Sequence, residues 1–254
     1  MIKKIFPNEL DLFNMSLKRT VTQVQKDKVD YKGLVVDKPW GYEYLMFENN
    51  FVAVWILFLR NDAKTSIHCH PKKKTSLLVL DGKVKTSSLD SSFEFKSMEG
   101  IIIDRGVFHS THSLAEKGSF VMEIETPVDK GDLVRLKDEY GRENKGYESG
   151  EAISYDLDKY DYLHFHDEIK EDEEVKKIIS NKTIKVIRST NLFSFFKTIN
   201  KEHKKIVCPL NYKLLNKDGK VIFDVGDIID IQGLFSVENL VSVPEHDLVN
   251  LIIG

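Results

Sequence analysis

From Gly33 onward the chain changes direction every few residues, and that rhythm restricts what it can fold into more than any other feature. Segments 42–47, 51–60, 65–70, 76–80, 83–89, 93–96, 100–103, 107–111 and 119–125 have the length and residue types of short strands. Turn formers stand between them, notably Glu48-Asn49-Asn50, Asp81-Gly82 and Lys117-Gly118. About nine short strands at this spacing predict a mainly β fold, a closed barrel or jelly roll rather than a parallel α/β sheet.

Ahead of the strands, residues 8–28 place Leu10, Phe13, Leu17, Val21 and Val24 at helical spacing behind Asn8 as a candidate N-cap. This predicts an amphipathic N-terminal helix used for packing or dimerisation. Beyond Thr126-Pro127, the polar stretch 129–154 reads as a long excursion over the barrel surface. Segment 167–177, acidic then basic, and segment 191–201, with Leu192, Phe195, Phe196 and Ile199, read as helices. The tail from Ile206 returns to strands, with a hairpin signal at Asn216-Lys217-Asp218-Gly219 and an apolar run at 248–253. The expected division is a helical segment 1–32, a barrel with its excursion 33–155, and a smaller α+β region 156–254. Asp81-Gly82-Lys83-Val84 and Asp218-Gly219-Lys220-Val221, each followed by an apolar strand, hint that this last region is a degenerate second copy of the barrel.

A net charge of -3 from 37 basic and 40 acidic residues gives no field that would draw the chain to nucleic acid or an anionic membrane. Two cysteines, Cys69 and Cys208, make no disulfide framework and suit a reducing compartment. The opening Met1-Ile2-Lys3-Lys4-Ile5-Phe6-Pro7 does not read as a signal peptide, and no apolar run approaches the roughly 20 residues of a membrane span. The expectation is a cytoplasmic protein.

Chemistry concentrates between Ser66 and His109. His68 and His70, two apart on a strand, point to one face, while Ile67 and Cys69 point to the other. Imidazoles turned into a core need partners for both ring nitrogens. A metal shared with a third histidine, His109 after Arg105-Gly106, meets that need; a wet pocket in which they bond water or substrate meets it too. Glu123 and Glu125 share a strand face, and they are either a base inside the barrel or an outer-face pair. Lys72, Lys73 and Lys74 either hold a phosphate or carboxylate at the pocket mouth or form a solvated turn. Arg135, Asp138 and Arg142 either reach over the site as a lid or pin the excursion to the surface. His112 falls on the face opposite His109, and His164 with His166 suits a structural or interface role.

The run Ser66-Ile67-His68-Cys69-His70, the strand ending near Gly82, and Gly100 through His109 resemble the two signature motifs of the cupin superfamily. By position, His68, His70 and His109 match that family's metal ligands, and Gly82 and Gly106 its turn glycines. Thr75 stands where its glutamate ligand belongs, and Asp104 replaces its turn proline. Lys38-Pro39-Trp40-Gly41-Tyr42 and the segment from Gly131 to Arg142 resemble, more narrowly, the cupin domain of type II mannose-6-phosphate isomerases. There Lys73 aligns with a motif arginine and His68 with a glutamine ligand.

The resemblance implies a divalent metal (zinc, iron or manganese) that stabilises the charge formed when a proton moves between adjacent carbons of an open-chain sugar. It further implies a phosphorylated or nucleotide-linked sugar as substrate, a place in surface polysaccharide synthesis, and a homodimer. Glu123 and Glu125 are then the catalytic candidates, and Lys73, Arg105 and Arg142 the substrate-binding ones. A three-histidine oxygenase, or a sugar-binding cupin without catalysis, accommodates the same residues.

Overall fold

The computed structural model describes residues 1–17, 30–141, 153–166, 169–170, 174–199 and 204–254. The barrel region contributes strands β1 (Ile2–Ile5), β2 (Val35–Lys38), β3 (Gly41–Glu48), β4 (Ala53–Leu59), β5 (Ile67–Cys69), β6 (Lys74–Asp81), β7 (Lys83–Ser87), β8 (Ser92–Lys96), β9 (Gly100–Ile103), β10 (Ser110–Ser113), β11 (Ser119–Thr126), β12 (Val134–Lys137) and β13 (Ile153–Ser154). Eight of them form one sheet in the order β1-β9-β6-β11-β4-β3-β2-β13. The facing layer is built from β10-β7-β8 and β12-β5. These two pieces are joined where His68 and His109 exchange backbone hydrogen bonds of 3.0 and 2.8 Å. Two opposed, mainly antiparallel sheets closed in this way make a jelly roll.

The large sheet is buried on both faces. Leu45, Trp55, Leu57, Leu77, Val79, Ile101 and Val121 fill the barrel interior. Tyr44, Met46, Ile56, Leu78, Met122 and Ile124 point outward, yet pack against Ile184, Val186, Ile206, Cys208, Leu251 and Ile253 of the C-terminal region. Double burial explains why β4 and β9 are near-continuous apolar runs, and why Leu77–Leu80 of β6 are apolar without alternation. Strand packing is close enough at Gly41 that a Cβ there would stand 1.7 Å from the Phe58 carbonyl oxygen, so only glycine fits.

The C-terminal region holds β14 (Glu174–Ile179), β15 (Lys182–Asn191), β16 (Ile206–Pro209), β17 (Lys213–Leu215), β18 (Val221–Phe223), β19 (Ile229–Asp230), β20 (Val241–Val243) and β21 (His246–Ile253). They form a five-stranded sheet β14-β15-β21-β16-β19 and a three-stranded one, β18-β17-β20. Beyond the first sheet, Ile187, Val207, Leu248 and Ile252 pack on Phe195 and Leu234 of the short helices α2 (Leu192–Thr198) and α3 (Ile231–Phe235), with α1 being the N-terminal helix Glu9–Leu17. Within the helix expected over 191–201, α2 forms over Leu192–Thr198, and Asn191 caps it through Ser194 N. Asn216 accepts from Lys220 N through its side chain and donates to the Lys220 carbonyl, closing the expected turn between β17 and β18. Lys74 and Asp227, both buried, make an ion pair across the junction of barrel and C-terminal region, and Ser76 donates to the Gly226 carbonyl at 2.7 Å.

Three expectations are corrected. Residues 174–177 are not helical but open β14, which turns into β15 through Ser180 and Asn181, both at positive φ. The lysines there are those of an edge strand that resists further pairing. In α1, the apolar residues Leu10, Phe13 and Leu17 are 50–65% exposed, while the buried residue is Asp11. Asp11 is held because Oδ1 accepts from Phe108 N at 2.9 Å and Oδ2 from Asn8 N at 3.0 Å. Val21 and Val24 lie outside the described residues. The stretch expected to be a surface excursion begins as part of the barrel, since β12 pairs with β5. The sequence pattern does not mark β1, because its four residues are too few to show a period and its pairing is parallel, to β9. No helix among the described residues is long and apolar enough to cross a membrane.

Candidate metal centre

Strand alternation sorts the H-x-H segment as its spacing predicts. Ile67 and Cys69 pack outward with Phe108, Val134 and Met15, and burial pushes the Cys69 thiol up to about 12, which leaves it inert. His68 and His70 turn inward and meet His109. The ring centroids lie 4.5 Å (His68–His109), 5.1 Å (His68–His70) and 5.7 Å (His70–His109) apart.

Each imidazole is oriented by a main-chain carbonyl. Nδ1 of His68 bonds the Ser66 carbonyl at 2.8 Å, Nδ1 of His70 that of Asp132 at 2.6 Å, and Nδ1 of His109 that of Val107 at 3.0 Å. A carbonyl oxygen only accepts, so each Nδ1 carries the proton and each Nε2 keeps a lone pair. One ligand atom from each ring lies within 4.8 Å of the others, and Nε2 of His70 is buried with no hydrogen-bond partner. Burial first, and then the neighbouring His109 for His68 and Lys73 for His70, hold these two rings well below the ordinary histidine value; burial also lowers His109. Neutral rings with converging lone pairs and carbonyl-fixed tautomers are what a divalent cation requires, so the residues fit a metal.

The cavity around them, about 70 Å³, is several times the roughly 10–15 Å³ that one water needs. It is lined by carboxylates and cations in close alternation. Lys73 donates to Glu125 at 2.6 Å, and Lys130 donates to Glu43 at 3.0 Å while lying 3.4 Å from the Trp55 ring centroid. Burial opposes ionisation of Glu43, but Lys130 and Lys38 outweigh it and hold the carboxyl below its usual range. At Glu123 the balance is reversed, because burial and the neighbouring carboxylates outweigh Lys130 and Lys73, which favour the ion. Burial, with Glu125 beside it, pushes its carboxyl up to about 8. Atoms of His70, Glu123 and Glu125 also lie within 4.8 Å of one another.

The structure thus brings His68, His70, His109, Glu123, Glu125 and Lys73 into one cavity, with Arg135 in its wall. The three lysines of the 72–74 run separate: Lys72 is exposed, Lys73 faces the histidines, and Lys74 faces Asp227. Arg105 is not among the lining residues; its guanidinium is half-exposed and donates to the Lys72 carbonyl. Arg142 lies outside the described residues. His112 faces away to Asp62 at 2.7 Å, and His164 bonds the Leu45 carbonyl, so neither joins the trio. Lys38, Glu43 and Lys130 were not singled out from sequence. A strand-parity count from Tyr42 places Glu43 inward, but no local pattern marks Lys130, which arrives from a loop. Asp132 was missed for the same reason.

No family model matches the chain, and no curated protein matches it in sequence. Similar solved structures include KdgF from Halomonas sp., at 12% identity and TM-score 0.33, with 41% of this chain and 87% of that chain covered. An RmlC-like cupin from Shewanella frigidimarina has the same identity and TM-score, over 41% of this chain and 84% of that one. A sugar phosphate isomerase of the cupin superfamily from Silicibacter pomeroyi is 12% identical at TM-score 0.33, over 39% and 62%. The strand order given above defines the jelly roll on its own.

Proposed function

We propose that this chain is a metal-dependent enzyme that isomerises a phosphorylated or nucleotide-linked sugar. One observation carries the reading: three neutral histidines, His70 and His109 buried and His68 half-buried, whose Nδ1 protons are all spent on main-chain carbonyls, with Nε2 of His70 lacking any protein partner. His68, His70 and His109 would hold the metal. A divalent metal there supplies an electrophile that stabilises charge developing on a carbonyl oxygen.

The chain's own residues supply the remainder. Glu123, its carboxyl pushed up to about 8, is the base candidate: the fraction ionised near neutral pH takes a proton from carbon, and the acid so formed returns it to the neighbouring carbon. Lys73, Lys130, Lys38 and Arg135 line a cavity suited to an anionic group, and the hydroxyls of Thr65, Ser66 and Thr111 face the same space as partners for sugar hydroxyls. The resemblance to sugar-phosphate cupins supports the substrate class and a role in surface polysaccharide synthesis.

Incubating the protein with manganese or zinc and a panel of aldose and ketose phosphates in deuterated water tests this. Deuterium is expected at the carbon beside the carbonyl, and it is lost in His70→Ala and Glu123→Gln. Oxygen consumption with ferrous iron and no exchange would replace the isomerase reading by an oxygenase.

A further inference from the structure

Thr75 and Glu125 are direct partners in the ladder between β6 and β11, so their side chains share the inner face. Thr75 brings no carboxylate to the centre, and its buried hydroxyl has no hydrogen-bond partner. Glu125, directly across, lies within 4.8 Å of His70 and is engaged by the Lys73 ammonium at 2.6 Å. Lys73 is 1% exposed and Glu125 3%, so neither ion has water to fall back on.

We infer that Glu125 is a reserve metal ligand held by Lys73, and that its transfer to a bound metal frees the Lys73 ammonium to receive the substrate's anionic group. The inference rests on the metal-centre reading above. Three neutral imidazoles leave a divalent ion its full charge in a wall that already holds Lys38, Lys73, Lys130 and Arg135, so a carboxylate is needed beside it. Glu43 is committed to Lys130, and Glu123 stands opposite Leu77 in the ladder, not opposite Thr75. Glu125 is the carboxylate that remains. Once it turns from Lys73 toward the ion, a buried ammonium faces the cavity without its acceptor. An anion then binds better after the metal than before it, which sets an order of addition.

Titration calorimetry of the full chain with manganese and with sulfate as the anion probe tests this. In the wild type, sulfate should bind about tenfold tighter or more with manganese present. Glu125→Gln, nearly isosteric, should weaken manganese about tenfold or more, while sulfate binding to the metal-free protein improves because Lys73 is already free. Lys73→Met should do the reverse, tightening manganese and abolishing most of the sulfate gain. A Glu125→Gln protein with unchanged manganese affinity and unchanged metal-free sulfate binding overturns the transfer while leaving the histidine centre intact. Absence of manganese, zinc or iron binding in the wild type overturns both. Should Lys73→Met not fold, the two Glu125→Gln measurements decide the matter by themselves.

Discussion

Nδ1 of His70 donates a 2.6 Å hydrogen bond to the main-chain carbonyl of Asp132, and the Asp132 carboxylate in turn accepts from Lys72 N at 2.8 Å and Lys73 N at 2.9 Å. One residue on the segment crossing the barrel therefore orients a ligand ring and fixes the turn that carries Lys73. Because backbone N–H groups reach Oδ2 from inside the fold, the carboxylate acts as a clamp rather than as a solvent-facing charge.

Asp132→Ala should lower metal affinity about 10- to 100-fold, the usual cost of losing an outer support of a ligand histidine. It should also destabilise the metal-free protein by about 1–3 kcal/mol, since two amide donors lose their acceptor. Lys72→Ala, at an exposed position, should change neither. Chelator competition and urea unfolding of both variants measure the two effects, and equal metal affinity in all three proteins would count against the clamp.

The histidine trio makes stability depend on pH and metal together. Burial depresses all three rings, so below about pH 6.5 the unfolded chain takes up protons that the folded chain refuses. The stabilisation is present above that pH and is lost as the pH falls toward the depressed folded values. The melting temperature should therefore drop between pH 7.5 and 5.5, and less so in a His68→Gln, His70→Gln, His109→Gln triple variant. Manganese or zinc at about a thousand times its dissociation constant should add about 4 kcal/mol at pH 7.5 and less at pH 5.5, where protons compete. Scanning fluorimetry at both pH values checks each arm.

Glu123 gives the opposite slope. Its carboxyl stays protonated up to about pH 8 in the fold but ionises near 4.5 when unfolded, so its contribution to stability declines as pH rises from 4.5 to 8. Glu123→Gln, which imitates the protonated form, should raise the melting temperature of the metal-free protein by several degrees at pH 9 and by little at pH 5. A variant no more stable at pH 9 than the wild type would mean that Glu123 is ionised in the fold.

What the chain disclosed beforehand follows how local each interaction is. The inward aim of His68 and His70, with Cys69 outside, depends only on strand parity, and the turns at Asp81-Gly82 and Asn216–Gly219 only on adjacent residues; all are legible. Glu123 and Glu125 were legible as a same-face pair, but not as an inner-face pair. Parity gives two answers when Met122 and Ile124, on the opposite face, are covered by another sheet. The segment 174–177 differs from its reading because an acidic-then-basic run on an edge strand resembles that of a solvated helix. The parting of Lys73 from Lys74 depends on Glu125 and Asp227, which are distant in sequence, and nothing in a run of lysines announces two different buried partners.

That second partnership yields the last prediction. Lys74 leaves the outer face of β6 and meets Asp227, whose carboxylate also has Lys4 of β1 at 3.6 Å and accepts from Asp224 N at 3.1 Å. Asp227 therefore links β1, β6 and the C-terminal region at a point with almost no water, Lys74 being 4% and Asp227 2% exposed. Removing the carboxylate strands a buried ammonium, which costs about 3–5 kcal/mol, whereas replacing both ions with apolar groups of similar size costs far less. Asp227→Ala should accordingly be the most destabilising of the variants named here in urea unfolding, and Lys74→Met with Asp227→Leu should recover most of the loss. Because the pair lies on the outer face, away from the histidines, the double variant should bind manganese like the wild type. Loss of metal affinity in it would show that the C-terminal region reaches the centre through β6.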